Sequence, residues 1–330
     1  PTMKTAVYSV KDFEKPFLDD FGKNEHELRL IEEPLGEENA EKAKDCKAVV
    51  TFPTDTISSE VIEKLSDLDI QYIVSRSAGT DHIDIEKAKE KGMKVANAPD
   101  YSPSAIAEHA VGMMLLLNRN FIEAEEKVSR HDFRIKGLVG KELRTQTVGI
   151  VGVGSIGEKL TEILHGFGST ILLYDVKQNE ELEEKFNARY SELDELCKNS
   201  DIISIHAPLN EETKHMINRE TLGLMRDGVI ILNLGRGAVV KTDDLVEALK
   251  SGKVGKAGLD VYENEKGLFF YDHSGEPIKD ETFAYLESNN NVFITTHQAF
   301  STEDAIANMT RMAFECLDEW EAGRNPESML

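Results

Sequence analysis

Cysteine is scarce in this chain. Three thiols, Cys46, Cys197 and Cys316, are spread over 330 residues, with no CxxC pair and no Cys/His spacing of a metal site. That excludes a disulfide framework or a thiolate metal module, and it suits a reducing compartment. Long apolar runs are missing too: the longest, 110–117, falls far short of the ~20 residues that cross a bilayer. Basic residues are the third shortage, with 38 Lys and Arg against 61 Asp and Glu, a formal net charge of −23. A surface of that sign repels phosphate, which argues against nucleic acid and anionic membrane as partners. The opening Pro1-Thr2-Met3-Lys4-Thr5 carries no signal-peptide pattern and runs into the strand-like Ala6-Val7-Tyr8-Ser9. The expectation is a soluble, cytoplasmic protein.

What is present is an ordinary globular balance, 40% apolar and 30% charged residues. A chain of this length suggests two domains and buries enough surface to need no covalent staple. Short β-branched runs alternate with amphipathic stretches, the pattern of parallel βαβ units. In the first hundred residues strands are expected at 5–9, 27–31, 48–52, 72–75 and 94–97, with helices near 12–22, 37–44, 58–66 and 84–91. Ser58 is the expected cap of the third helix, and Lys91-Gly92 the stop of the fourth. Two prolines in 99–103 precede a long expected helix, 104–129, whose first half is apolar on nearly every side and must be buried all round. Beyond it, strands are expected at 147–151, 170–174, 202–206, 229–234, 257–261 and 292–296. Helices are expected near 155–167, 191–198, 218–225, 242–251, 281–287 and 302–322. The fold class is α/β, with two doubly wound parallel sheets.

The first expected strand of the second half runs directly into Gly152-Val153-Gly154-Ser155-Ile156-Gly157. Gly152 suits a tight turn, Gly154 lets a pyrophosphate approach the backbone, and Gly157 lets the following helix lie close to the sheet. That helix's N-terminal amides would face the diphosphate. The next strand ends in Asp175, 18 residues after Gly157. A carboxylate there accepts from ribose hydroxyls and repels a 2′-phosphate, so the cofactor is expected to be NAD.

Three later strand ends carry polar residues, at the sheet edge where open α/β folds bind ligands. They are Arg236 between two glycines, the run Asp260-Val261-Tyr262-Glu263-Asn264-Glu265, and His297. Hydride addition to a 2-oxo acid leaves an alkoxide that needs a proton. Imidazole is the side chain suited to supply it near neutral pH. Glu265 beside His297 would favour the charged ring, and the Arg236 fork would hold a carboxylate. His82, His109 and His206 read as interface or core residues. No metal is expected.

These runs, together with His206-Ala207-Pro208-Leu209, 101–109 and 296–300, resemble the D-isomer-specific 2-hydroxyacid dehydrogenases along essentially the whole chain, and within that family the D-lactate dehydrogenase branch. The resemblance implies Arg236, Glu265 and His297 as the catalytic trio. It implies cofactor contacts at Ser155, Ile156, Asp175, Ala207, Pro208, Thr213, Leu234 and Asp260, with Gly235 and Arg236 contributing backbone. It implies substrate contacts from Ser77, Ala78 and Gly79, and pocket walls from Tyr101 and Phe300. It implies a Rossmann NAD-binding domain, 101–298, inserted into a flavodoxin-like catalytic domain, 1–100 with 299–330. Domain closure about 100 and 299 is expected because the substrate must be shielded from water during hydride transfer. Position 155 departs from the family pattern, because Ser stands where several relatives carry a larger polar or basic residue. Phe52 falls where relatives vary the side-chain pocket, and its bulk favours pyruvate over branched 2-oxo acids. The expected partners are a small 2-oxo or D-2-hydroxy acid and a second copy of the chain in a homodimer, a tetramer being the alternative. The rivals are a D-2-hydroxyisocaproate-type enzyme of broader specificity and a non-metabolic NAD-sensing partner protein. A phosphoglycerate dehydrogenase is disfavoured by the end of the chain at Leu330.

Overall fold

The computed structural model describes residues 3–21 and 26–330. Pro1 and Thr2 of the opening run, and position 22 of the first expected helix, lie outside them. The chain forms two compact units, 1–102 with 301–330 and 103–300.

In chain order, the first unit holds β1 (Lys4–Val7), α1 (Lys15–Phe21), β2 (Glu27–Leu30), β3 (Ala48–Thr51), α2 (Ser59–Asp67), β4 (Tyr72–Ser75), α3 (Ile85–Glu90) and β5 (Lys94–Ala96). The second holds α4 (Pro103–Asn118), α5 (Phe121–Ser129), β6 (Thr147–Val151), α6 (Ser155–Phe167), β7 (Thr170–Tyr174), α7 (Glu180–Phe186), β8 (Ala188–Tyr190) and α8 (Leu193–Asn199). It continues with β9 (Ile202–Ile205), α9 (Arg219–Leu224), β10 (Val229–Asn233), α10 (Thr242–Ser251), β11 (Val254–Leu259), α11 (Glu281–Ser288) and β12 (Val292–Ile294). The final helix, α12 (Glu303–Glu321), belongs to the first unit.

Both sheets are parallel throughout. The five-stranded sheet runs β2-β1-β3-β4-β5, and the seven-stranded one β12-β11-β10-β9-β6-β7-β8. The first is the flavodoxin-like order and the second the Rossmann order with one strand added. The order reverses between β1 and β3 in one sheet and between β6 and β9 in the other. Strands buried on both faces explain the continuous apolar runs, such as Ala48–Thr51, buried at every position. Ser58 caps α2 by accepting from the Val61 amide at 3.3 Å, and Gly92 ends α3 in the left-handed region at φ 74°.

Four expectations need correction. The segment 37–44 forms only a 3-10 turn at Ala40–Ala43, because Asn39 spends its side chain on Gly36 N and Pro34 O rather than on a helix start. The helix 104–129 is broken into α4 and α5 by Asn120, which sits at φ 56°. The carbonyls that a continuous helix would use are claimed elsewhere. Lys256 Nζ donates to Leu117 O at 2.8 Å and also to Asn120 Oδ1. The larger sheet has seven strands rather than six. Its extra edge strand, β8, and the helix before it, α7, were unforeseen: β8 is three residues long and α7 buries only Leu182. The strand expected at 257–261 begins earlier, at Val254.

The all-round burial expected of α4 is met only in part: Ala105, Ala107, Ala110, Val111, Met113, Met114 and Leu117 are buried, whereas Gly112 is exposed and Ile106, Leu115 and Leu116 are half-buried. A Cβ at Gly258 would lie 3.3 Å from Leu117 and from Met113, so that glycine lets α4 lie against β11. Among the described residues no helix is long and apolar enough to cross a membrane.

Candidate active site

The C-terminal ends of β6, β7, β9, β10, β11 and β12 carry nearly every polar residue singled out above in the second unit. The turn after β6 is forced by contact. Gly152 adopts φ 91°, and a Cβ there would stand 2.5 Å from Ala207 N. A Cβ at Gly157 would meet Gly152 O at 2.6 Å. Gly154 differs, since a Cβ there meets nothing within 4 Å. Open space at the middle glycine, directly before the amides of α6, is what a diphosphate needs. Asp175 Oδ2 accepts from Val153 N at 2.6 Å and Oδ1 from Lys177 N at 3.2 Å. A carboxylate has about four lone-pair sites, so it keeps acceptors for ribose hydroxyls while bracing the glycine loop. Ser155 and Ile156 lie half-buried in the first turn of α6. These residues fit NAD.

The neighbouring strand ends are locked onto this loop. A Cβ at Gly235 would lie 2.7 Å from Ala207 O, and one at Gly237 would lie 2.2 Å from Tyr262 C. The chains after β9, β10 and β11 therefore touch backbone to backbone. Thr213 Oγ1 donates to Pro208 O at 2.6 Å and accepts from Asn210 N, closing the turn after β9. Leu234 is buried. Asn233, which sequence reasoning did not single out, accepts from Gly235 N and donates to Arg236 O at 3.0 Å. It thereby sets the backbone from which Arg236 departs. Arg236 Nη1 donates to Gly235 O at 3.0 Å.

His297 and Glu265 are brought together: Nδ1 lies 2.7 Å from Oε2. Glu265 Oε1 accepts from Tyr262 N at 3.2 Å, so the carboxylate is fixed from both ends. An ionised carboxylate only accepts, so Nδ1 carries the hydrogen and Nε2 is left to exchange a proton. The backbone of His297 is strained, at φ 54°, a conformation that costs ~1–3 kcal/mol for a non-glycine residue. Asp260 holds it there. Its carbonyl accepts from His297 N at 2.7 Å, while its carboxylate accepts from Gln298 N at 2.8 Å, Ala299 N at 3.2 Å and Thr295 Oγ1 at 2.6 Å. Asp260 is buried and its carboxylate faces the chain. His109, from α4, joins this group through Thr295 Oγ1 at 3.0 Å. No sequence signal pointed to Asn233 or Thr295, because each acts through a turn or a distant pairing.

His206, at the end of β9, donates or accepts at Ser204 Oγ, 2.7 Å away, while its Nδ1 is buried without a partner among the described residues. Burial pushes its pKa down to about 4. Phe300 is buried.

The first unit carries the remaining residues. Ser77, Ala78 and Gly79 follow β4, with Ala78 exposed and Gly79 half-buried. His82 Nε2 lies beneath them, 3.2 Å from Ser75 Oγ and 3.3 Å from Thr51 Oγ1. Tyr101 O accepts from Asn308 Nδ2 at 2.9 Å. Phe52 is buried with the Arg76 guanidinium 5.5 Å from its ring centre. Among the described residues no group of three His, Cys, Asp or Glu side chains could hold a metal.

Comparison with known proteins supplies the family. Residues 111–299 match the model of the D-isomer specific 2-hydroxyacid dehydrogenase, NAD binding domain. The chain is 39% identical over 325 residues to a D-lactate dehydrogenase of Escherichia coli, covering 97% of this chain and 98% of that one. It is 40% identical over 324 residues to an aromatic 2-oxoacid reductase of Clostridium sporogenes, covering 97% and 96%. Among solved structures, D-lactate dehydrogenase from Aquifex aeolicus complexed with NAD and lactic acid superposes with a TM-score of 0.86 at 33% identity, covering 97% and 96%. The chain therefore belongs to the D-isomer-specific 2-hydroxyacid dehydrogenases and is an NAD-dependent oxidoreductase.

Proposed function

We propose that this dehydrogenase reduces pyruvate to D-lactate with NADH, and runs in reverse on D-lactate. The observation that carries this reading is the His297–Glu265 pair, 2.7 Å apart after β12 and β11, at the same edge of the sheet as the glycine loop after β6. NAD, when bound, supplies or takes up the hydride. The chain supplies everything else. His297 Nε2 delivers a proton to the substrate oxygen in reduction and removes it in oxidation, while Glu265 stabilises the charged imidazole. Arg236 pairs with the substrate carboxylate through its planar fork. The amides of Ala78 and Gly79 take the same carboxylate, with Tyr101 and Phe300 against the substrate. Gly152, Gly154, Ser155, Ile156 and Gly157 would hold the diphosphate of NAD, with Asp175 for the ribose. Ala207, Pro208, Thr213, Leu234, Gly235, Arg236 and the loop that Asp260 holds would complete the site. The enzyme works in the cytoplasm as a homodimer.

A second reading, a reductase of larger 2-oxo acids, draws support from the equal likeness to an aromatic 2-oxoacid reductase. Phe52 favours the smaller substrate, because a buried ring braced against Arg76 offers no room by moving aside. NADH oxidation against pyruvate, 2-oxoisocaproate and phenylpyruvate separates the readings. The expected result is the highest kcat/KM for pyruvate, with the D isomer as product. A higher value for either larger acid favours the second reading, and turnover of none overturns both.

A further inference from the structure

Three consecutive carbonyls after β4 are each claimed by a donor of the first unit. Ser77 O accepts from Ala98 N at 2.9 Å. Ala78 O accepts from Asn97 Nδ2 at 2.7 Å. Gly79 O accepts from Ser77 Oγ at 2.7 Å. In a planar trans peptide the N–H points opposite to the C=O. The amides of Ala78, Gly79 and Thr80 are therefore turned to the other side, and among the described residues none of the three donates to the chain.

The hydroxyls beneath have only one consistent order. Ser77 gives its proton to Gly79 O, so the 2.6 Å contact between Ser75 Oγ and Ser77 Oγ must be donated by Ser75. Ser75 then has no proton left for His82, so His82 Nε2 carries the hydrogen, shared between Ser75 Oγ at 3.2 Å and Thr51 Oγ1 at 3.3 Å. A directed chain, His82 to Ser75 to Ser77 to Gly79 O, pins one carbonyl, and Asn97 pins the one before it. The pinning matters most at the Ala78–Gly79 peptide. Glycine accepts φ of either sign, so that peptide can flip and present an oxygen where an anion needs a donor.

We propose that Asn97, Ser75 and His82 are positioning residues that hold Ala78, Gly79 and Thr80 as a run of three amides facing the carboxylate of the 2-oxo acid. This rests on the reading above that the loop binds that carboxylate, and adds Thr80 N–H to it.

The test compares pyruvate with its methyl ester, which lacks the anion. Asn97→Ala should lower kcat/KM for pyruvate by about tenfold, the loss of one net hydrogen bond, mostly through KM. The ester should change by less than about twofold, the scatter of an uninvolved position, and NADH affinity should stay the same. Ser75→Ala should show the same split more weakly. Asn97→Asp should be worse than alanine when ionised, since it cannot donate, and should recover as pH falls. Equal losses on acid and ester, or an unchanged preference for the acid in a wild type that reduces pyruvate, overturn the proposal alone. A wild type that reduces no 2-oxo acid overturns the functional reading with it.

Discussion

His297 Nδ1 stands 2.7 Å from Glu265 Oε2, and the two residues follow adjacent strands, β12 and β11. The strain at His297, the bonds from Asp260 to the next two amides and the Tyr262 N–H on Glu265 all serve this one contact. Loop residues are set by a rigid sheet edge here, as active sites in open α/β folds require.

Replacing Glu265 by Gln keeps the shape and removes the charge that favours the imidazolium. The alkaline limb of the pH profile for pyruvate reduction should then move to lower pH, because an adjacent opposite charge is lost. Steady-state kcat/KM measured across pH decides it, and a limb that stays in place means Glu265 does not govern the proton on His297.

Arg76 and Glu14 form a fully buried pair, Nε to Oε2 at 2.5 Å. The guanidinium also donates to Tyr8 O at 2.9 Å and to carbonyls of Ser9, Val50 and Thr51. It ties β1, β3 and β4 together at the end that carries the Ser77 loop. Glu14→Gln leaves a buried charge uncompensated and should cost about 3–5 kcal/mol. Glu14→Leu with Arg76→Met should cost less than the single change. Urea unfolding of the three proteins tests the order.

Much of this was legible from residue patterns, and the reason is local. The strands announce themselves as β-branched runs, and the glycine loop, Asp175, Arg236 and His297 all sit at the ends of such runs. Features that depend on distant pairings were hidden. The break between α4 and α5 needs Lys256, 139 residues beyond Leu117. The Arg76–Glu14 pair spans 62 positions. Asp260 shows no sign in the sequence that its carboxylate holds 298 and 299. Edge strand β8 lacks the two-sided burial that makes the central strands conspicuous.

Phe52 offers a specificity test. Phe52→Leu should raise kcat/KM for 2-oxoisocaproate relative to pyruvate by about tenfold, the scale of a few methylenes of accessible volume. An unchanged ratio removes Phe52 from the side-chain pocket.

His206 gives a pH dependence of stability. Its ordinary pKa is 6.5 and burial lowers it to about 4, so between those values the unfolded chain binds a proton that the folded one does not. The contribution is present above 6.5 and is lost as pH falls toward 4. The slope approaches about 1.4 kcal/mol per pH unit at most. His206→Gln should flatten unfolding free energy against pH across that window. A slope identical to wild type there assigns the acid sensitivity to other groups.

The segment after α5 exposes apolar residues that a monomer has little reason to show: Phe133 at 74%, Ile135 at 78% and Val139 at 86%. It is not loose. Lys127, itself buried, donates to Lys136 O at 3.1 Å and pairs with Asp132 at 3.2 Å. Arg134 also pairs with Asp132 and, as the larger cause, holds that carboxyl well below the usual range. A braced loop presenting apolar side chains is the form of an association surface, and a second copy of the chain is the occupant that the dimer reading assigns to it. Ile135→Asp with Phe133→Asp should convert the dimer to a monomer in sedimentation velocity, because a self-complementary interface meets each substitution twice. NADH binding should survive, since the glycine loop and Asp175 lie on other elements. A wild type that sediments as a monomer at micromolar concentration would refute the dimer. A double variant that remains dimeric would move the interface elsewhere, with the apolar half of α4 the next face to substitute.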